Sequence, residues 1–223
     1  MESFASRRTK MVDGQLRTQN VTDHSVLAVM GEVPREHFVP PEAQPLAYID
    51  DDILVKPAAD GHAARYLMEP APFARLVQLA RPLDTDIVLD VGCGSGYSAA
   101  VLARLADSVV GLESDAELAE RASAALVELG IDNAAVVNGP LPDGYPSEGP
   151  YDVIFLDGSV ERIPEALFDQ LKDGGRLVAA VGSGWSAPVT LYTRSGDEVA
   201  GRAAFNADLR PLPGFREPAR FAL

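Results

Sequence analysis

A glycine-rich turn follows an apolar run in the middle of the sequence, and Gly92, Gly94 and Gly96 alternate there with other residues. Glycine adopts positive φ and lets a ligand approach bare backbone, so such a turn between a strand and a helix is typical of a nucleotide-type cofactor site. Glu113 ends the next apolar run, 21 residues after Gly92. A carboxylate at that place accepts hydrogen bonds from both hydroxyls of a ribose. These residues predict a site for a cofactor that contains a nucleoside.

The spacing of the turn distinguishes between two cofactors. A dinucleotide loop has the pattern G-x-G-x-x-G, whereas this loop is G-x-G-x-G and has Tyr97 where the third glycine would stand. Asp90, two residues before the first glycine, would repel a diphosphate and suits an ammonium group. S-adenosylmethionine is positively charged at its sulfur and at its ammonium group and carries no phosphate. The pattern therefore favours S-adenosylmethionine over NAD.

The adenine end of this cofactor is expected near the third strand of the sheet, where Asn138, Gly139 and Pro140 form a turn. Proline cannot accept a hydrogen bond from the adenine amine through its side chain, so Asn138 is the polar candidate. A plain polar turn explains the same residues equally well. The predicted cofactor-binding residues are Asp90, Val91, Gly92, Cys93, Gly94, Ser95, Gly96, Glu113, Ser114, Asn138 and Gly139.

Strands and helices alternate after residue 82, which predicts a parallel sheet covered by helices on both faces. Apolar runs predict strands at 87–91, 109–112, 134–137, 151–156 and 176–181, and amphipathic patterns predict helices at 97–105, 115–129 and 164–171. Two alternating runs at 189–193 and 198–200 predict an antiparallel hairpin on the sheet edge. The expected class is α/β with a Rossmann-like, S-adenosylmethionine-dependent methyltransferase fold and a helical N-terminal extension.

The first 80 residues look irregular and only partly helical. The segment through residue 20 is polar, residues 22–30 and 69–80 predict helices, and repeated prolines between 34 and 57 predict mostly loop. We expect one domain with three parts. These are an extension that forms part of the acceptor site (1–80), a cofactor-binding core (81–183) and C-terminal edge strands (184–223).

Composition excludes several classes of function. The chain has 223 residues with 33 acidic and 19 basic side chains, so its formal net charge of −14 argues against binding to nucleic acid or to an anionic membrane. No apolar run is long enough to span a bilayer, and no secretory signal begins the sequence. A single cysteine rules out an intrachain disulfide and a cysteine-based zinc site, and no metal site is expected. We expect a cytoplasmic protein.

Several segments together resemble the protein-L-isoaspartate O-methyltransferase family, over most of the chain. They are the Pro-Arg-Glu-His-Phe-Val-Pro run at 34–40, the glycine loop at 90–96, Gly-Pro-Tyr-Asp-Val-Ile at 149–154 and the helix and strand at 164–178. The first of them is the most specific. The resemblance implies an enzyme that transfers a methyl group from S-adenosylmethionine to the α-carboxylate of isoaspartyl residues in damaged proteins and so begins their repair.

Three residues depart from that family and are the candidate catalytic positions. The family has T-[IV]-S-[QA]-P before its first sheet strand, with the serine hydroxyl beside the substrate carboxylate. This chain has Met68 for the serine and Glu69 for the next residue. A thioether is a weak hydrogen-bond partner, and a glutamate repels an anionic substrate. Asp157 ends the fourth strand, where the family has small neutral residues. It either orients or deprotonates an acceptor or caps the following helix.

These departures leave two further hypotheses open. In one, the same fold methylates a neutral or cationic acceptor, including a small molecule, instead of an isoaspartyl protein or peptide. In the other, the chain binds S-adenosylmethionine without catalysing transfer. An altered glycine loop would favour that last hypothesis, and this loop is intact.

Overall fold

The computed structural model describes residues 2–59, 61, 63–182 and 186–216. Its strands are β1 (Ile53–Lys56), β2 (Arg65–Leu67), β3 (Ile87–Val91), β4 (Ser108–Glu113), β5 (Ala134–Asn138), β6 (Tyr151–Val160), β7 (Leu171–Val181), β8 (Ala187–Ser195) and β9 (Glu198–Ala207). Its α-helices are α1 (Phe4–Met11), α2 (His24–Glu32), α3 (Pro70–Ala80), α4 (Tyr97–Ala103), α5 (Ala116–Glu128) and α6 (Glu165–Asp169).

A seven-stranded sheet forms the centre of the fold, in the order β5-β4-β3-β6-β7-β8-β9. The first five of these strands are parallel, and β8 and β9 are antiparallel at one edge. Alternate residues of β3 enter different cores, since Val88 packs among residues of α1 to α5 and Leu89 packs on the other face with residues such as Leu167 of α6. The predicted α/β class, with an antiparallel edge hairpin, is confirmed.

The register of the parallel strands brings the predicted site residues to one edge of the sheet. Asp90 pairs with Gly111 of β4, and Glu113 pairs with Asn138 of β5. On the other side of β3, Val91 pairs with Leu156, so that Asp157 follows directly. Carboxyl ends of parallel strands meet at the same edge, which is where ligands bind in open α/β sheets.

The N-terminal segment is more regular than its polar sequence indicated. Residues 4–11 form α1, whose start is capped by the Ser3 side chain. A wider π-helical turn at 12–16 and a tighter 3-10 turn at 17–19 continue the helix. Met11, Val12 and Leu16 are the buried residues that anchor this segment, at 1%, 8% and 0% exposure. The predicted helical N-terminal extension is confirmed, and its polar part is more regular than expected because three buried side chains fix it.

A short hairpin, β1–β2, lies in the region where prolines predicted mostly loop. Ile53 pairs with Leu67, and both are buried. Lys56 ties the hairpin to the start of α5, with its Nζ 2.7 Å from Asp115 Oδ1 and 2.8 Å from Glu117 Oε2. Tertiary contacts therefore hold strands of only four and three residues that local pattern does not predict.

Residues 208–216, which we name the crossing segment, leave the edge hairpin and run across the end of β6. The Ser159 amide donates to the Arg210 carbonyl at 2.9 Å, and the Leu212 amide donates to the Ser159 carbonyl at 2.8 Å. A Cβ on Gly158 would lie 2.7 Å from the Arg210 carbonyl oxygen, so only glycine permits this approach. The crossing segment places Leu212 beside the glycine loop.

The described residues contain no helix that is long and apolar enough to cross a membrane. They also contain no group of three or more histidine, cysteine, aspartate or glutamate side chains placed to hold a metal ion. The boundary expected between residues 183 and 184 lies outside the described residues.

Candidate active site

The three glycines of the loop have different structural roles. All have positive φ, +83° at Gly92, +56° at Gly94 and +96° at Gly96. A Cβ on Gly96 would lie 2.9 Å from the Cβ of Ala122, so this glycine lets the start of α4 pack closely on α5. A Cβ on Gly94 would meet nothing within 4 Å. The middle glycine therefore faces open space, as a residue beside a ligand must.

The side chains between and beside the glycines point into the core. Val91, Cys93 and Ser95 are all buried. The Cys93 sulfur fills the space above Gly111 in β4, 3.1 Å from where a Cβ on that glycine would stand. Burial raises the pKa of the Cys93 thiol well above its usual value, so Cys93 is not an activated nucleophile. Val91 and Cys93 can therefore offer a ligand only their backbone, whereas the buried Ser95 hydroxyl has no hydrogen-bond partner among the described residues.

Glu113 is fully buried and its carboxylate is held by four donors. The Gly94 amide donates to Oε2 at 2.8 Å, and the Asp115 amide donates to Oε1 at 3.0 Å. The Ser114 hydroxyl and the Arg65 guanidinium also donate to Oε1, at 3.2 and 2.5 Å. The carboxylate is thus fixed at the mouth of the glycine loop, with Arg65 as its ionic partner.

Sequence analysis did not identify Arg65. It begins β2, is 7% exposed and donates from Nη2 to the Gly92 carbonyl at 3.0 Å in addition to its bond with Glu113. No pattern in the sequence distinguishes this buried arginine from a surface one. Its place over the loop depends on the β1–β2 hairpin, which was itself not predicted.

Asp90 lies near the end of β3, and Asp157 lies inside β6, just beyond Leu156, where the pairing with β3 ends. The prediction that Asp157 ends its strand was wrong, because β6 continues past an irregularity between Phe155 and Ser159 to Val160. Both oxygens of Asp90 and Oδ1 of Asp157 are buried and have no hydrogen-bond partner among the described residues. Burial raises the pKa of Asp90 well above its usual value, and the Asp157 carboxylate raises it further. Burial raises the pKa of Asp157 to about 7, although the Arg65 guanidinium acts in the opposite direction. Within the described part of the chain, these three oxygens are therefore buried acceptors that are open to a ligand.

Asn138 and Gly139 close the turn after β5. The Asn138 side-chain amide donates to the Glu113 carbonyl at 2.8 Å, and the Gly139 amide donates to the same oxygen at 3.0 Å. One of the two N–H groups of the Asn138 side chain is therefore engaged, which leaves the other N–H and the side-chain oxygen for a ligand. Its role toward adenine stays a prediction.

A cavity of about 540 Å³ opens at Ser114 and Asp115, directly after the end of β4. This volume lies within the range of small-molecule sites. Its walls come from the β1–β2 connection, the ends of β4 and β5, and the crossing segment. They include Ala63, Arg65, Ser114, Asp115, Pro140, Leu141, Pro142, Pro211, Leu212, Pro213 and Gly214.

Met68 and Glu69 follow Arg65 in the sequence, and neither of them lines this cavity. Met68 is buried at 6% exposure and packs in the hydrophobic core, so it is less open than a substrate-facing position would be. Glu69 is half-buried, and its amide donates to Asp52 Oδ1 at 2.9 Å. Burial raises the pKa of the Glu69 carboxyl, and the nearby Asp50 and Asp52 carboxylates raise it further.

Arg35 fixes the backbone of this region. It is completely buried, and it donates from Nε to the Ala47 carbonyl and from Nη2 to the Met68 carbonyl, each at 2.9 Å. Its guanidinium carbon lies 4.7 Å from the centre of the Tyr97 ring. Arg35 belongs to the segment at 34–40 that carried the family resemblance, and its bond to the Met68 carbonyl ties that segment to the backbone at Met68.

Comparison with known proteins agrees with this geometry. Residues 6–209 match the family described as Protein-L-isoaspartate(D-aspartate) O-methyltransferase (PCMT). A Protein-L-isoaspartate O-methyltransferase 1 of Rhodopseudomonas palustris is 39% identical over 213 residues, which are 95% of this chain and 84% of that protein. The Protein-L-isoaspartate O-methyltransferase of Methanoregula boonei is 38% identical over 192 residues, 86% of each chain.

Two solved structures share the fold. A protein-L-isoaspartate O-methyltransferase superposes with a TM-score of 0.80 at 28% identity and covers 93% of this chain, which spans 66% of that one. A putative protein-L-isoaspartate O-methyltransferase from Plasmodium falciparum, in complex with S-adenosyl-L-homocysteine, gives 0.74 at 20% identity, over 92% of this chain and 97% of that one. This chain belongs to the protein-L-isoaspartate(D-aspartate) O-methyltransferase family.

Proposed function

We propose that this protein is an S-adenosylmethionine-dependent methyltransferase that methylates the α-carboxylate of isoaspartyl residues in proteins and peptides. The observation that carries this proposal is the buried Glu113 carboxylate at the mouth of the glycine loop, beside a cavity of about 540 Å³. Family membership supports the same reaction. We also propose that it acts in the cytoplasm, since its single cysteine, Cys93, is a free thiol.

The described residues fit the cofactor. Glu113 is placed to accept the ribose hydroxyls, and Gly94 leaves room for a ligand beside it. The unpartnered oxygens of Asp90 suit an ammonium group, because a buried carboxylate needs a cationic partner. The backbone at 91–96, Ser114, and Asn138 with Gly139 would line the methionyl, ribose and adenine parts. When bound, S-adenosylmethionine supplies a methyl group that its positive sulfur already activates.

The chain's own residues then have to orient an acceptor and exclude water. A carboxylate is a sufficient nucleophile for direct displacement, so no side chain needs to remove a proton from it. Arg35 holds the backbone at Met68, and the crossing segment covers the loop at Leu212. Orientation of this kind accounts for a large part of the rate of bimolecular transfers.

A second acceptor class is favoured by one observation. Glu69, the aspartates at 50–52 and Asp157 make the acceptor side acidic, and the first of these carboxyls already has a raised pKa. An acidic pocket suits a neutral or cationic nucleophile better than a carboxylate. Asp157 would then serve as a general base, because its pKa of about 7 lies near the operating pH.

A methyl-transfer assay distinguishes these acceptors. One peptide is made in an isoaspartyl and an aspartyl form, and each is incubated with the protein and S-adenosylmethionine carrying a labelled methyl group. We expect label in the isoaspartyl peptide alone. The variant Glu113→Gln should lose most of this activity, while Glu128→Gln, an exposed carboxylate on the same helix-and-strand unit, should keep it. Labelling of a small amine with neither peptide labelled would contradict the proposal.

A further inference from the structure

A second groove lies beside the edge hairpin, between α3 and the strands β8 and β9. Its volume is about 400 Å³, and its lining includes Arg75, Arg81, Arg202, Leu79, Leu191 and Phe205. We name it the arginine groove after the first three of these residues. None of its lining residues lines the cavity of about 540 Å³ that opens after β4. The arginine groove is therefore a separate place on the molecule, to which the proposed function assigns no role.

The three arginines of the groove lack an anionic partner in the described part of the chain. The side chains of Arg75, Arg81 and Arg202 form no ion pair and no hydrogen bond with a described residue, and no described aspartate or glutamate lines the groove. The chain as a whole has 33 acidic side chains and only 19 basic ones. A group of cations without an acidic neighbour repels itself, and a bound anion removes that repulsion. The charges of the groove therefore favour an anionic ligand.

Arg75 is held in the groove by an aromatic ring. Its guanidinium carbon lies over the Phe205 ring, 3.7 Å from the ring centre, and the residue is half-buried. The N–H groups of a guanidinium point outward in its plane, so an arginine stacked on a ring still presents them to a ligand. These donors are positioned before a ligand arrives, which lowers the entropic cost of binding it.

Backbone strain at the same groove is a second and independent observation. Among the described residues, two that are not glycine have a left-handed φ, Asn20 at +65° and Arg81 at +49°, and both line the groove. Gln78 holds the turn at Asn20, because its Oε1 accepts from the Asp23 amide at 2.9 Å and its Nε2 donates to the Asn20 carbonyl at 3.2 Å. Glycine adopts a left-handed φ without steric cost, whereas an arginine does not. Strained residues of this kind cluster at ligand sites.

The chemistry of the lining selects the class of anion. Guanidinium groups match phosphate oxygens in geometry, and a phosphate monoester offers three oxygens and up to two negative charges, against two oxygens and one charge for a carboxylate. Leu79, Leu191 and Phe205 provide apolar surface for the rest of the ligand. We propose that the arginine groove binds a small phosphate monoester that carries an aromatic or other apolar group. This inference does not depend on the proposed function.

Calorimetry with four probes tests this class of ligand. Phenyl phosphate, inorganic phosphate, phenol and benzoate are titrated into the whole protein at neutral pH, with and without saturating S-adenosylhomocysteine. We expect phenyl phosphate to bind about ten-fold more tightly than each of the other three, because it alone combines the phosphate with an apolar group. S-adenosylhomocysteine should leave this affinity within about two-fold, because the two cavities share no lining residue.

Two outcomes of this titration would overturn the proposal. Equal affinities for phenyl phosphate and benzoate would show that the protein does not select a phosphate. Displacement of phenyl phosphate by S-adenosylhomocysteine would place its site in the cofactor cavity.

Arg75→Met and Arg202→Met test the location. Methionine keeps much of the apolar stem of an arginine and removes its charge, so these variants should fold. Each should bind phenyl phosphate about ten-fold more weakly and S-adenosylhomocysteine as before. The matched control is Arg104→Met, at an exposed arginine outside the groove, and it should bind phenyl phosphate like the natural protein. An unchanged affinity in either groove variant, or an equal loss in Arg104→Met, would refute the assignment.

Arg81→Gly separates ligand binding from stability. Glycine relieves the strained φ at this position, so the melting temperature should stay the same or rise. The affinity for phenyl phosphate should nevertheless fall about five-fold, because one of the three cations is removed. If this variant binds phenyl phosphate as tightly as the natural protein, the strained arginine does not serve the ligand and the proposal is wrong.

Discussion

The two halves of the site are assembled from different kinds of contact. In the cofactor half, the Gly94 amide and the Glu113 carboxylate that it contacts are 19 residues apart, within consecutive strand–loop–helix units. In the acceptor half, Arg35 reaches Met68 across 33 residues, and Arg210 of the crossing segment reaches Asp52 across 158. The first half is therefore specified mainly by local geometry, with Arg65 and Leu212 as its long-range contacts, and the second depends on the completed tertiary structure. Substitutions in the acceptor half can change specificity while the cofactor half stays intact.

The largest effect should come from breaking the support of the acceptor half. Arg35→Met leaves the buried carbonyls of Ala47 and Met68 without their donor, and each unsatisfied group costs about 1–3 kcal/mol. We expect the free energy of unfolding to fall by about 3 kcal/mol in chemical denaturation. Folded Arg35→Met should still bind S-adenosylhomocysteine, measured by calorimetry. A loss of that binding equal to the loss of methylation would show that the two halves are not separable.

The next largest effect concerns the cofactor half. Glu113→Ala removes the carboxylate proposed to hold the ribose, and charge-assisted hydrogen bonds of this kind contribute about 1–3 kcal/mol. We expect S-adenosylhomocysteine to bind more weakly by that amount in calorimetry, and NAD to bind neither protein. Unchanged affinity in a folded variant would place the ribose carboxylate elsewhere.

The pH dependence of cofactor binding should reflect the ionisation of Asp157, which lies where the cofactor half meets the acceptor half. In the free protein Asp157 has a pKa of about 7, and a cofactor that brings an ammonium and a sulfonium group favours the ionised carboxylates. Binding should then release a proton below pH 7, so the affinity for S-adenosylmethionine should rise with pH up to about 7 and then level off. Below that point the slope is at most about ten-fold per pH unit for one proton.

Asp157→Asn is the matched control for this titration. It should flatten the pH profile and abolish the proton release that calorimetry detects in buffers of different ionisation enthalpy. The raised pKa also means that the natural fold is stabilised by the protonated acid below pH 4 and loses that stability as pH rises to 7. The variant should lack this decline. A profile as steep in Asp157→Asn as in the natural protein would assign the proton to Asp90.

The smallest effect should come from the acidic surface of the acceptor half. Glu69→Gln removes one charge from an acidic group that also includes Asp50 and Asp52. The carboxylates of these two aspartates raise the pKa of Glu69 and so disfavour its ionised form. We expect the KM for an isoaspartyl peptide to fall about two- to five-fold with kcat unchanged, since a partly exposed charge contributes on the order of 1 kcal/mol or less. Glu128→Gln should leave KM where it was. An increase in KM for Glu69→Gln would mean that Glu69 contacts the substrate favourably.

The cofactor half could be predicted because its signals are local. An apolar strand, a run of alternating glycines and a helix start lie within ten residues, and Glu113 ends the next strand at the expected distance. These patterns fix backbone geometry without help from the rest of the chain. The parallel direction of β3 to β7 followed from the same strand–helix alternation.

The acceptor half could not be predicted, for a physical reason. Arg65 is buried only because a hairpin of short strands folds over the loop, and nothing in its neighbours encodes that burial. Met68 looked like a substrate-facing residue from its place in the family pattern, yet it packs in the core. The crossing segment follows an exposed edge strand, and its partner at Ser159 is about 50 residues earlier. Long-range contacts of this kind leave no periodic trace in sequence.

The crossing segment also sets the order in which the site can be completed during synthesis. Gly92 is made long before Leu212, which covers it, and the parallel strands β3 to β7 can pair before the edge hairpin exists. Domains generally begin to fold while the chain is still emerging from the ribosome. The nascent chain therefore passes through a stage in which the sheet is formed and the pocket has one wall missing. A fused sequence that holds residues 208–216 away from β6 would keep the protein in that stage, folded but unable to enclose its ligand.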